Sequence, residues 1–83
     1  RLVPLDLTAA RELIAETKIY KILKGLRGQP PLDVTSLAQS LVLLSALMMH
    51  CPQIREVDLN PVRVFTEGQG ILALDARIIM GEP

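Results

Sequence analysis

Apolar residues recur at helical spacing through the first part of the chain and switch to alternation in the last third. Ala10, Leu13, Ile14 and Thr17 stand at i, i+3, i+4 and i+7, which predicts a helix over Ala9–Thr17. Ile19, Tyr20, Ile22 and Leu23 leave a continuation open. Asp6 or Thr8 can cap the start by accepting a hydrogen bond from a free first-turn N–H. Residues 1–5 read as a short extended segment, with Pro4 at an edge or in a connection because it lacks a backbone donor. Gly25 and Gly28 end the helical stretch, and Pro30-Pro31 prevents immediate re-entry, so Gly25–Pro31 is expected to be a loop. Asp33 then caps a second helix over roughly Val34–His50, ended by Pro52. Val34, Leu37, Ala38, Leu41, Leu44 or Ser45, and Met48 form one stripe, while Val42, Leu43, Leu47 and Met49 add a second apolar face. A helix apolar nearly all round is expected to be buried on more than one side. So short a chain has few elements to cover it, which points to another part of a larger protein, or a partner.

After His50 the period becomes two. Val57 and Leu59, then Val62 and Val64, alternate with polar neighbours, and Ile71–Met80 is again rich in β-formers. The intervening Thr66-Glu67-Gly68-Gln69-Gly70 is a run of turn residues, so the two segments predict a hairpin. The expected fold class is α+β: residues 1–83 as one unit, two main helices packed on one side of a small antiparallel sheet made by the C-terminal hairpin, with residues 1–5 joining at an edge.

Composition narrows the function classes. The chain has 83 residues, a formal net charge of zero and two aromatic residues, Tyr20 and Phe65. Nucleic-acid binders carry clustered cations and stacking rings, so nucleic acid is not an expected partner. The longest apolar run, Leu41–Met49, falls well short of the roughly 20 residues that span a bilayer, so no membrane partner is expected either. The single Cys51 cannot make an intrachain disulfide, which fits a cytoplasmic location; it reads as a small packing residue at a helix end. The chain starts at Arg1 without an initiator Met, as a piece of a longer protein does.

The segment with chemistry is Glu56-Val57-Asp58-Leu59-Asn60-Pro61, followed by Leu74-Asp75-Ala76-Arg77. Residues two apart on a strand share a face, so Asp58 and Asn60 point one way and Val57 and Leu59 the other. With the turn centred on Glu67-Gly68, Asn60 falls opposite Asp75 and Asp58 opposite Arg77. A slip of one residue would send Asp75 to the other face. Mg²⁺ prefers oxygen ligands and takes one or two carboxylates, the remaining positions going to water and phosphate. An amide and a carboxylate on neighbouring strands meet that requirement. Residue chemistry alone is equally served by a solvated face with one Asp58–Arg77 cross-strand pair, worth about 0.2–1 kcal/mol, or by a turn at Asn60-Pro61.

Three motifs narrow the choice. Asp58-Leu59-Asn60-Pro61 followed fifteen residues after Asn60 by Asp75-Ala76-Arg77 resembles signatures near the end of the ATP-grasp domain of NDP-forming acyl-CoA synthetases, among them succinyl-CoA synthetase β chains and ADP-forming acetyl-CoA synthetases. Gly25-Leu26-Arg27-Gly28-Gln29-Pro30-Pro31-Leu32-Asp33 resembles the Gly-X-Arg-Gly-X-Pro-Pro-X-Asp loop of the same group. Ser45 and Pro52-Gln53-Ile54 fall where that group has its Ser-X-Leu and Pro-X-Ile pieces. The resemblance spans essentially the whole chain. It implies a C-terminal ATP-grasp subdomain fragment, with Asn60 and Asp75 as Mg²⁺ ligands, Asp58 and Arg77 beside the phosphates of ATP or ADP, and Arg27 as the loop arginine. It implies as partners the nucleotide and the remainder of the ATP-grasp and CoA-binding domains, and leaves room for a homo-oligomer. The implied parent reaction is acyl-CoA with ADP and phosphate giving acid, CoA and ATP, reversibly, with the isolated fragment inactive. The same piece also occurs in bacterial protein-lysine acetyltransferases, where it can be silent or regulatory. A third reading, from the apolar helix alone, is a non-catalytic assembly module.

Other residues invite less. His50 sits at a helix C-terminus, where the dipole favours a cation, and reads as a capping or surface residue. Lys18, Lys21, Lys24 and Arg27 form a basic run that reads as a solvated helix face or as a docking surface for an anionic partner or phosphates. Gly25 and Gly28 lack the Walker spacing and its Lys-Ser/Thr.

Overall fold

A computed structural model describes residues 5–25 and 27–81. The chain forms helices α1 (Leu7–Ala15), α2 (Tyr20–Leu23) and α3 (Val34–His50), then strands β1 (Ile54–Leu59), β2 (Val62–Val64), β3 (Ile71–Ala73) and β4 (Ala76–Met80). The expected edge segment at residues 1–5 lies outside the described residues except for Leu5, whose N–H donates to the buried Ser45 hydroxyl of α3 at 2.6 Å.

Both caps are side-chain carboxylates. Asp6 accepts from the Ala9 N–H at 2.7 Å and starts α1. Asp33 accepts from the Ser36 N–H at 3.0 Å and starts α3. The first helix does not run on to Leu23. It stops at Ala15 because Thr17 turns back on it: its hydroxyl donates to the Ile14 carbonyl at 2.7 Å and its N–H to the same oxygen at 3.0 Å. A threonine that bonds its local backbone in this way competes with helix continuation. The chain re-enters helix only for the single turn of α2.

The molecule measures 48 × 25 × 22 Å, and its core is correspondingly thin. Ala10 and Ile14 of α1, Leu23 of α2 and Ala38 of α3 are buried, with Leu32, Leu37, Leu41 and Val64 packed around them. Alanines at the α1–α3 contact let the two backbones approach closely. The α3 stripe passes through Ser45 rather than the half-buried Leu44. Its second apolar face is open: Leu43 is 70% exposed, with Leu47 and Met49 also on the surface. No helix among the described residues is long and apolar enough to cross a membrane.

The four strands form one long hairpin with a break in the middle. β1 pairs antiparallel with β4, and β2 with β3. Between the two ladders the chain passes through Asn60–Pro61 on one side and Leu74–Asp75 on the other. There the Asn60 N–H donates to the Asp75 carbonyl at 3.2 Å and the Leu74 N–H to the Pro61 carbonyl at 2.9 Å. The Asn60–Pro61 peptide is cis. Half-buried positions shift phase across the break, from Val57 and Leu59 to Val62 and Val64. The pairing register is the same on both sides of the break, with Leu59 opposite Ala76 and Val62 opposite Ala73.

The helical layer joins the hairpin through the segment Pro31–Asp33. Leu32 pairs with Thr66, the Asp33 N–H donates to the Phe65 carbonyl at 2.8 Å, and the Glu67 N–H donates to the Pro31 carbonyl at 3.0 Å. On its other side the Leu32 N–H donates to the Leu23 carbonyl at 2.8 Å.

Candidate functional site

The hairpin register is the one that the turn residues predict. Asp58 stands opposite Arg77 and Leu59 opposite Ala76 in the outer ladder, and Val62 opposite Ala73 in the inner one. Counting inward from either side, Asn60 meets Asp75, and the 3.2 Å bond from the Asn60 N–H to the Asp75 carbonyl joins these two residues. The ladder irregularity lies between Ile54 and Glu56, outside this region. Asp58, Asn60, Asp75 and Arg77 are all exposed, while Val57 and Leu59 between them are half-buried. The structure thus brings together an amide, two carboxylates and a guanidinium in two neighbouring cross-strand pairs.

These groups are not consumed by one another. One Asp75 oxygen, Oδ1, accepts from the Ala76 N–H at 2.9 Å. The Asn60 amide, the Asp58 carboxylate and the Arg77 guanidinium have no partner among the described residues. The Asp58–Arg77 ion pair that a merely solvated face would offer is not formed, although the two residues are opposite. Among the described residues no three His, Cys, Asp or Glu side chains gather as a metal cage. One amide and one carboxylate suit Mg²⁺, which keeps several waters and takes phosphate oxygens for the rest. The donor set therefore fits that ion in the presence of a nucleotide.

Arg27 is not on the hairpin. It lies on the exposed loop after α2, with φ +55, the one non-glycine left-handed residue among those described. Gly25 and Gly28 on either side have φ +94 and +79. A β-carbon on Gly25 would lie 2.7 Å from the Gln29 carbonyl oxygen, so the loop closes tightly on itself. A side chain held in this region of φ costs of order 1 kcal/mol and recurs at ligand clamps.

Asp33 does more than cap a helix. It is 4% exposed, and its second oxygen, Oδ2, accepts from the Ser36 hydroxyl at 2.8 Å, the Gly70 N–H at 2.8 Å and the Gly68 N–H at 3.2 Å. The Ser36 N–H, the Gly70 N–H and the Ser36 hydroxyl hold its pKa below the ordinary value against the opposing effect of burial. Sequence reading finds the cap but not the tie to the turn. Two glycines in the turn were the available signal, because amides with positive φ can converge on an anion. The basic run resolves as exposed Lys18, Lys21 and Lys24, the last lying over the Tyr20 ring at 5.4 Å.

Comparisons with known proteins bear on the family and the fold. A family model described as ATP-grasp domain matches residues 1–80. The chain is 40% identical over 82 residues to acetate–CoA ligase (ADP-forming) I of Archaeoglobus fulgidus, covering 99% of this chain and 12% of that protein. It is 41% identical over 81 residues to the β subunit of acetate–CoA ligase (ADP-forming) II of Pyrococcus furiosus, covering 96% of this chain and 34% of the subunit. Among solved structures, it matches Ca. Korarchaeum cryptofilum dinucleotide-forming acetyl-coenzyme A synthetase 1 in complex with coenzyme A and Mg-AMPPCP. The TM-score is 0.88 at 38% identity, over 96% of this chain and 37% of that one. The chain spans about a third of the subunit-sized relatives and about an eighth of the single-chain ligase. With a matched fold and a family match over nearly its whole length, the chain belongs to the ATP-grasp domain family.

Proposed function

We propose that this chain is the C-terminal, Mg-nucleotide-binding wall of the ATP-grasp domain in an NDP-forming acyl-CoA ligase, which interconverts acyl-CoA, ADP and phosphate with acid, CoA and ATP. The observation that carries the reading is the cross-strand meeting of Asn60 and Asp75, both exposed, with the Asn60 amide oxygen and Asp75 Oδ2 not used elsewhere in the fold. Those two residues would hold Mg²⁺, whose contribution is to neutralise charge on the transferred phosphoryl group. Arg77, two residues beyond Asp75 and opposite Asp58 in the outer ladder, binds phosphate oxygens. Asp58 beside it adds negative charge, so polyphosphate binding here depends on the cation. Arg27 approaches the same polyphosphate from its loop. The Korarchaeum relative was solved in complex with Mg-AMPPCP, which supports this assignment by likeness. The open apolar face of α3 meets the rest of the same domain, since the chain spans only part of its relatives' length.

The test is Mg-ADP binding by the complete protein, comparing wild type with Asn60→Ala and Asp75→Ala. Loss of one charge-assisted ligand contact, about 1.5 kcal/mol or more, weakens binding at least about tenfold. Both residues are exposed, so the melting temperature stays nearly constant. Wild-type affinity in both variants removes the assignment. A silent module attached to a lysine acetyltransferase would bind Mg-ADP in the same way without turnover.

A further inference from the structure

We infer that Asp33 is a positioning residue that sets the Arg27 loop against the Asn60/Asp75 hairpin, so that the arginine and the metal pair reach one polyphosphate; this rests on the nucleotide reading given above. The two candidate groups lie on separate elements, and the hairpin's own pairing cannot fix their separation. The connection runs through a short, heavily bonded segment. Gly25 packs against the Gln29–Pro31 backbone and closes the base of the Arg27 loop. Pro31–Asp33 then joins Phe65–Glu67 through the Leu32–Thr66 bridge and two backbone hydrogen bonds. The buried Asp33 carboxylate completes the joint by gripping the hairpin turn at Gly68 and Gly70, 35 and 37 residues away in sequence, and α3 at Ser36.

The chemistry of the joint requires a carboxylate. Oδ1 accepts one donor and Oδ2 accepts three. Asparagine has a single side-chain oxygen. Turned one way, its NH₂ opposes the Ser36 N–H; turned the other, it opposes the amides of Gly68 and Gly70. Either orientation releases one side of the joint, while the cross-strand bonding of Asn60 and Asp75 is untouched.

The experiment is a double-mutant cycle on the complete protein: Kd for Mg-ADP in wild type, Asp33→Asn, Arg27→Ala and the double variant. Loss of a charged contact to phosphate corresponds to about tenfold in Kd. Asp33→Asn is expected to weaken binding by about that factor in the wild-type background and by less than about twofold once Arg27 is already alanine. Ser36→Ala, which removes only the hydroxyl donor, gives a smaller effect with the same dependence on Arg27 and serves where Asp33→Asn does not fold. Wild-type affinity in Asp33→Asn overturns the inference. So does equal weakening in both backgrounds, which is the signature of general destabilisation. Wild-type affinity in Asn60→Ala and Asp75→Ala, measured alongside, identifies failure of the nucleotide reading itself.

Discussion

The loop that carries Arg27 makes a quantitative demand on its two glycines. Both have positive φ, +94 at Gly25 and +79 at Gly28, but only Gly25 is crowded. A β-carbon at Gly28 meets nothing within 4 Å, whereas at Gly25 it lies 2.7 Å from the Gln29 carbonyl oxygen and 3.3 Å from the Pro31 nitrogen. Gly28→Ala therefore incurs only the left-handed conformation, about 1–2 kcal/mol, less about 0.4–1 kcal/mol for the reduced entropy of the unfolded chain. The net loss is about 1 kcal/mol, or about 4–8 °C for a domain of this size. Gly25→Ala incurs the same and must also push backbone aside, an overpacking term of about 1–3 kcal/mol. Its total is about 2–4 kcal/mol. Urea unfolding followed by far-UV circular dichroism, with unchanged slope, measures the difference directly. Equal destabilisation by the two substitutions, or a larger loss at Gly28, would refute the claim that the Gln29 carbonyl confines the loop.

Further outcomes follow from the same contacts. Asp33 has its pKa held below the ordinary 3.8, so its stabilising contribution is complete above the unfolded value and disappears as pH falls through the native one. Acid unfolding below about pH 4 should consequently flatten in Asp33→Asn, and an unaltered acid limb would contradict the hydrogen-bonded carboxylate. Leu23 is 3% exposed at the junction of α2 with the core, so Leu23→Ala should destabilise by about 2–5 kcal/mol in the same urea assay; a loss under about 1 kcal/mol would show that the site collapses or is not core. Arg27→Gly relieves a left-handed side chain, so it should change stability by less than about 1 kcal/mol while weakening Mg-ADP about tenfold. Loss of stability without loss of affinity would reverse the assignment of that residue.

Much of this was legible because the signals are local. Helical spacing located α3 at Val34–His50, and a short polar side chain before each of the two long helices marked its cap. The hairpin register followed from one assumption, a turn at Glu67-Gly68, because antiparallel pairing then fixes every opposite residue. The early end of α1 was harder to see: it depends on a threonine hydroxyl choosing a backbone carbonyl over solvent, a small difference in free energy that periodicity does not encode. The choice of Asn60 and Asp75 as ligands came from residue chemistry sharpened by family resemblance.

By itself the sequence determined the two main helices and the C-terminal hairpin, the loop at Gly25–Pro31 and the cross-strand meeting of Asn60 with Asp75. Each depends on residues close in sequence or on a single turn. Only the tertiary structure decided that Asp33 holds the hairpin turn, that Ser45 receives the Leu5 N–H, and that Arg27 is held left-handed. The first two are hydrogen bonds across 35 to 40 residues, and their donors and acceptors meet only after the chain has folded back. The third depends on how tightly the loop must close between α2 and the Pro31–Asp33 segment, which is set by packing rather than by the identity of the arginine.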